Sequence, residues 1–411
     1  MKLVLAYMNV SNLGDIVIYE TARYLVERVL RELGRDDVEI VPMDIGSYAY
    51  KNVVNGEPPR SVVAKRRIQR VLKRFFRIRA VNRLMPRLTR AFLRWQWHRS
   101  GGYRYYLKNE RPKLKGADAV VFGGGGLVKF HRQNFHYFLD DVIGWADAHG
   151  TPVVINAVGV EGYEADNPEC RLLKDALNLP CVRSVTTRDD YEMLRNSYIV
   201  NPAVAVARVC DPAFWTAETY GVAAHGAGSG LIGLNVIRTE IFKDYMYAVD
   251  DGEMLALYAE LLRRLRARGK RVELFSNGVA GDTKFIERLF AAYPALKTDA
   301  GVSVAEPRTA RELVATIAGY ERFLAVRLHA SIIGTVLGIP NASLVWNRKQ
   351  PLFGEQVGLA RNFIQKDGFD AENVESRLMA AEAYRMDAAY KNSVYESLTS
   401  ALAALPGGRQ G

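Results

Sequence analysis

The stretch FLAVRLHASIIGTVLGIP, residues 323–340, is apolar almost throughout, yet it carries Arg327 and His329 near its middle. The apolar run before Arg327 reads as a strand over 322–326, and the run after it as a helix over 328–338. Both side chains then sit where the carboxyl end of a strand meets the amino end of a helix. Free N–H groups and positive potential favour an anion at such a place. Arg adds a planar fork that suits carboxylate or phosphate. His either donates to an anion or moves a proton near neutral pH. The structural alternative is an Arg paired with an acid and a hydrogen-bonded His. Spacing alone does not choose between the two.

Other motifs share this placement at strand ends. FGGGGLV, from residue 122, follows a strand and is expected to open a helix, with Gly124 and Gly125 letting backbone approach a phosphate or sugar. It lacks the spacing of a dinucleotide fingerprint and the Gly-Lys-Ser/Thr of a P-loop, so a tight turn without ligand fits equally well. In NVSNLGD, residues 9–15, Asp15 either caps the following helix or faces a ligand as a general base. TTRDDY puts Arg188 at another strand end, with Asp189 as the expected cap of the next helix. WNRKQPLFG puts Lys349 after the last expected strand. The histidines of HRQNFH, residues 131–136, have neither helical metal spacing nor an acidic partner, so no metal site is expected.

The elements that position these residues alternate. Strands over KLVLAY, VEIVPM, DAVVF, PVVINAV and VRSVT are separated by helical patterns, and the alternation resumes with LIGLNVI, RVELFS, RFLAV and NASLVW. This predicts an α/β protein of two Rossmann-like, doubly wound domains facing a cleft, where open α/β folds bind ligands. The expected boundaries are 1–214, a linker over 215–230 where Gly and Ala dominate, 231–370, and C-terminal helices over 371–411.

The chain has 411 residues, 49% apolar and 25% charged, the composition of a soluble globular protein. No apolar run approaches the roughly 18 residues of a membrane span, and the short apolar start reads as a strand rather than a signal peptide. Cys170, Cys181 and Cys210 are an odd set without paired spacing, which suits a reducing cytoplasm. Charge is uneven: residues 60–115 hold 19 Lys and Arg against one acid, +18, within a chain of net +11. In this segment Ile68, Leu72 and Phe75 share one helical line, and Leu84, Leu88, Phe92 and Trp95 share another. Basic amphipathic helices with aromatics suit an anionic membrane surface, with Phe75, Phe92 and Trp95 as its contacts. The alternative is that both stripes pack on the N-terminal domain. No nucleic-acid recognition motif accompanies the charge.

Taken in order, N-x-G-D, A-D-x-x-x-x-G-G-G, R-D, DPAF, R-L-H-A before GIP and a following Lys resemble the polysaccharide pyruvyl transferase family, over about residues 1–45 and 117–360. The basic segment has no counterpart in that pattern. The resemblance implies a fold like the GT-B glycosyltransferases. It implies transfer of the enolpyruvyl carbons of phosphoenolpyruvate to a sugar as a cyclic ketal, without cofactor or metal. It implies donor binding by Arg188, Arg327, His329 and Lys349. For that chemistry the residues themselves offer His329 to hold phosphate or donate a proton and Asp15 as the weaker candidate base. The acceptor is then a sugar of a cell-surface polysaccharide or its lipid-linked precursor, and the basic segment places a cytoplasmic enzyme at the inner face of the membrane, where a saccharide on a polyprenyl carrier is one such acceptor. Two other classes fit the residues: a nucleotide-sugar glycosyltransferase of the same architecture, and a non-enzymatic polyanion-binding module.

Overall fold

The computed structural model describes residues 1–8, 12–46, 85–131, 134–244 and 249–405. Contacts divide the chain into two compact units. The first comprises Met1–Val10, Ala22–Asp211 and Asn392–Gly411, and the second Ser11–Thr21 and Pro212–Lys391. Set beside the expected division 1–214, 215–230, 231–370 and 371–411, residues 11–21 fall with the second unit, the expected linker 215–230 and residues 371–391 fall inside that unit, and 392–411 fall with the first.

The first unit is built on a six-stranded sheet in the order β2-β1-β3-β5-β7-β8. Its strands are β1 (Lys2–Tyr7), β2 (Glu39–Asp44), β3 (Ala119–Gly123), β5 (Val153–Val158), β7 (Val182–Thr187) and β8 (Ala205–Arg208), all paired in parallel. A separate two-stranded ladder joins β4 (Val128–Lys129) to β6 (Val160–Glu161). β3 and β5 are buried along their whole length, as the apolar run of β3 and that of β5, broken only by Asn156, suit strands covered on both faces. Helix α1 (Leu13–Glu32) lays Ala22, Leu25, Val26 and Val29 against this sheet.

The described part of the basic segment is helical: α2 (Pro86–His98) and α3 (Gly101–Asn109). Both join the core of the first unit through Leu93, Trp97, Tyr103 and Tyr106. Trp97 stacks on Tyr137 at 5.3 Å and meets Phe138 edge-on at 4.7 Å, both from α4 (Phe135–Ala148). Helix α5 (Pro168–Leu177) packs beside α2.

Two expected helix starts differ. The glycine run does not open a helix. Gly124 and Gly125 take φ of +65° and +82°, the left-handed region, and turn the chain into β4. Asp189 does not cap the helix after β7. Its carboxylate accepts the Val160 N–H at 2.7 Å and the Thr187 hydroxyl at 3.0 Å, which ties β7 to β6. Asp190 caps instead, accepting the Met193 N–H at 3.0 Å.

The second unit also has a six-stranded parallel sheet, in the order β11-β10-β9-β12-β13-β14. The strands are β9 (Leu231–Asn235), β10 (Arg271–Phe275), β11 (Val302–Ala305), β12 (Arg322–Ala325), β13 (Asn341–Leu344) and β14 (Phe363–Ile364). Helices α6 (Asp251–Ala267), α7 (Ala280–Ala292), α8 (Ala310–Ala318), α9 (Leu328–Val336) and α10 (Lys349–Gln356) supply the crossovers and flanks. The winding reverses between β9 and β12, and in open α/β sheets such a reversal opens a crevice beyond the strand ends. β13 was the last strand expected; β14, two residues long, pairs outside it.

Candidate active site

At the reversal in the second sheet, one buried amide joins three strand ends. The Asn235 Oδ1 at the end of β9 accepts the backbone N–H groups of Val326 and Arg327, at 3.3 and 3.0 Å. Its Nδ2 donates to the Phe275 carbonyl at 3.2 Å and to the Asn277 Oδ1 at 3.0 Å. The Val326 carbonyl is held in turn by the Trp346 indole N–H at 2.6 Å and the Gln350 amide at 3.2 Å. The peptide that carries Arg327 is therefore fixed on both sides. A polar residue closing an apolar strand was the only sign of Asn235 in the sequence.

Arg327 precedes α9 in extended conformation, and its guanidinium turns to Asp282 in the first turn of α7. Nε donates to Oδ2 at 2.9 Å, while Nη2 reaches Oδ1 at 2.8 Å and Oδ2 at 2.7 Å. Asp282 is fully buried and its Oδ1 also accepts the Arg238 N–H at 3.0 Å. Arg327 is thus the acid-paired arginine of the structural alternative. The pairing occupies Nε and Nη2 only, and among the described residues Nη1 has no hydrogen-bond partner. The buried carboxylate offsets much of the charge, so what Arg327 offers a ligand is a fixed N–H edge.

His329 is the second residue of α9, with its Nδ1 3.2 Å from the Asp15 Oδ1. Asp15 stands in the first turn of α1, where the Asn12 side chain, not Asp15, caps by accepting the Gly14 N–H at 3.0 Å. The Leu13 N–H donates to the Asn277 carbonyl at 2.9 Å, which anchors that turn beside β10. Gly14 lets the imidazole approach: a Cβ there would lie 2.4 Å from the His329 Cβ. With Nδ1 directed at a carboxylate, the ring presents Nε2 as its remaining functional nitrogen.

Lys349 is the first residue of α10, half-buried, with its N–H on the Asn347 Oδ1 at 2.9 Å. It follows β13, the strand beside β12, so it lies one strand over from Arg327. Arg188 belongs to the first unit, at the end of β7, and is no solvated surface arginine. Its guanidinium forms a buried ion pair with Asp211 of the DPAF motif. Gly124 and Gly125 are also in the first unit, buried, with Gly124 N–H on the Asn156 carbonyl and Gly125 carbonyl on the Gly159 N–H. Among the expected membrane contacts, Trp95 is exposed, Phe92 is half-buried against the core, and Phe75 lies outside the described residues. Among the described residues no group of three or more His, Cys, Asp or Glu is placed to hold a metal ion.

A family model for polysaccharide pyruvyl transferase matches residues 12–348. This chain belongs to the polysaccharide pyruvyl transferase family. The family is one of enzymes, and the match begins at the Asn12 cap and runs through the Arg327 and His329 pair. Lys349 stands one residue beyond it. A search of curated proteins gives no significant match. Among solved structures this transferase is similar to the UDP-GlcNAc 2-epimerase from Methanocaldococcus jannaschii, with a TM-score of 0.57 at 11% identity over 98% of this chain and 100% of that one. The UDP-N-acetylglucosamine 2-epimerase from Rickettsia bellii gives a TM-score of 0.52 at 10% identity, covering 98% and 96%. The Neisseria meningitidis enzyme bound to UDP-GlcNAc gives 0.51 at 10%, covering 98% and 100%. At these identities the likeness is one of fold: two Rossmann-like domains.

Proposed function

We propose that this transferase takes phosphoenolpyruvate as donor and joins its three carbons to a sugar as a pyruvate ketal. The observation that carries the reading is the junction of β12 and α9, where Arg327 precedes the helix amino end and an Asp15-held His329 follows two residues later. Phosphoenolpyruvate brings a carboxylate and a phosphate on three carbons. The first turn of a helix leaves N–H groups without intrahelical partners, and these with the Arg327 edge suit such an anion. Lys349 adds a cation from the neighbouring strand end.

The chemistry needs one proton delivered and two removed. Protonation of C3 makes C2 an oxocarbenium-like electrophile. A sugar hydroxyl adds to C2 and loses its proton, the C2–O bond to phosphate breaks, and a second hydroxyl closes the ketal. One of the two hydroxyl protons replaces the one spent on C3, and the other leaves on phosphate. His329 Nε2 is the group to deliver or relay a proton, while Asp15 fixes the ring and stabilises its charged form. Asp15 in this arrangement acts through His329, not directly on the sugar hydroxyl. The family motif gives Arg188, held by Asp211, as a further donor contact.

The acceptor is a saccharide of a cell-surface polysaccharide or its lipid-linked precursor, joined at the cytoplasmic side of the membrane. The competing reading is a nucleotide-sugar-dependent transferase on the same fold, which requires contacts to a base and ribose. Phosphate release from phosphoenolpyruvate in the presence of pooled saccharide acceptors, with the ketal followed by mass spectrometry, tests the proposal. Thermal shift separates the donors: a ligand at ~100 times its dissociation constant stabilises by about 2.7 kcal/mol. Stabilisation by a nucleotide sugar but not by phosphoenolpyruvate would reverse the assignment.

A further inference from the structure

Helix α2 carries two apolar faces. Leu93 and Trp97 form the inner one, buried to 1% and 6% exposure in the core of the first unit. Met85, Leu88 and Trp95 form the outer one, left 51%, 60% and 46% exposed. A helix packed on one core needs one apolar stripe. The helical line through Leu88, Phe92 and Trp95 is thus not the packing face, although Phe92 leans inward with its ring 5.8 Å from Trp95.

The cations divide into paired and unpaired. Arg90 pairs with Asp175, and the half-exposed Arg94 with Asp140 at 2.6 Å. Arg87, Arg99, Arg104 and Lys108 are exposed and have no acidic partner among the described residues. No Asp or Glu occurs anywhere from residue 85 to 109. Leu107 of α3, 38% exposed, is a further outward apolar side chain, next to Lys108 in the sequence. The Arg99 guanidinium lies 4.8 Å over the Trp95 ring, so a cation and an amphipathic ring share one spot at the surface.

We infer that the outward faces of α2 and α3 dock on an anionic phospholipid surface. The uncompensated cations match lipid phosphates, each favouring approach within a Debye length. The aliphatic members select a bilayer over a nucleic acid. Met85, Leu88 and Leu107 gain by entering hydrocarbon and gain little from stacking on bases. Docking holds the enzyme where a saccharide anchored by a lipid is concentrated. The inference stands apart from the donor, because vesicle binding is read without substrate.

The test is co-sedimentation of the full chain with vesicles of phosphatidylcholine and phosphatidylglycerol, against phosphatidylcholine alone. The wild type should bind only the anionic vesicles, and less as salt rises. Leu88→Ser with Trp95→Ser should weaken partitioning by about tenfold or more at low salt, through lost apolar insertion. Arg87→Gln with Arg104→Gln and Lys108→Gln should weaken it comparably and flatten the salt dependence. All five side chains are exposed, so circular dichroism and phosphate release on a short soluble acceptor should be unchanged. Failure of the wild type to bind anionic vesicles overturns the inference. So does undiminished binding by both variants, and so does RNA homopolymer binding that competes with vesicles and survives the apolar changes.

Discussion

The Asp15 carboxylate reaches His329 from a first-turn position on another helix, Oδ1 to Nδ1 at 3.2 Å. A carboxylate so placed favours the charged imidazolium. Asp15→Asn keeps the shape and removes the charge. It should lower kcat by about tenfold to a hundredfold with little change in the donor KM, because general acid–base steps contribute about 10²–10⁴-fold. A KM effect without a kcat effect would place Asp15 in binding instead.

Gly14→Ala tests the approach of the imidazole. The added Cβ would stand 2.4 Å from the His329 Cβ and 2.8 Å from its Nδ1, so the ring or the helix start must move. Overpacking of this kind costs about 1–3 kcal/mol. The variant should fold with a lowered Tm and lose phosphate release. Full activity with an unchanged Tm would show that the close approach has no catalytic weight.

Asp282 and Arg327 are a buried pair held by three hydrogen bonds. Asp282→Ala leaves the guanidinium uncompensated and should destabilise the protein by about 3–5 kcal/mol. Arg327→Lys cannot reproduce the fork and should raise the donor KM while unfolding less readily than Asp282→Ala. Urea unfolding and steady-state kinetics on both variants check the order.

Arg188 raises a separable question, because its guanidinium is bound to the buried Asp211. Either single removal strands a buried charge, so it cannot distinguish a structural from a donor-binding role. Arg188→Met combined with Asp211→Leu replaces the pair by apolar side chains, a change often close to neutral for stability. The double variant should fold and fail to respond to phosphoenolpyruvate in thermal shift. Retained response would make the arginine structural.

Burial pushes the thiols of Cys181 and Cys210 up to about 12. The thiolate is the reactive form, so the native chain should resist alkylation at mildly alkaline pH, while the unfolded chain should take up three equivalents. The sign for stability follows. Between the ordinary thiol value of 9.0 and about 12 the unfolded chain releases protons that the folded chain keeps, so stability should fall as pH rises through that window. Denaturant midpoints at stepped pH measure it.

The sequence made the β12–α9 junction readable because two polar side chains interrupt apolar runs whose own periods are clear. It did not reveal Asp282. The pairing spans 45 residues and exists only because the sheet winds back at β9. The glycine run misled for a local reason: glycines suit both a helix entry and a left-handed turn, and φ chose the turn. In α2 the helical period found an apolar line, but period cannot tell an inward stripe from an outward one. Leu93 and Trp97 compete for the core on the opposite face, and their contacts with the α4 aromatics win.

The indole bond from Trp346 to the Val326 carbonyl, 2.6 Å long, makes that side chain a built-in reporter. The accepting carbonyl belongs to the peptide linked to Arg327, so a ligand that shifts the arginine shifts the electron density felt by the indole proton. The nitrogen-bound proton of Trp346 gives a resonance in a sparse region of a heteronuclear spectrum, identifiable by its loss in a Trp346→Phe variant. The chain has five tryptophans, so the assignment takes few samples. Titration of the nitrogen-15 labelled protein with candidate donors can then be followed beside the candidate anion site, with no attached probe, no turnover and no acceptor in the tube.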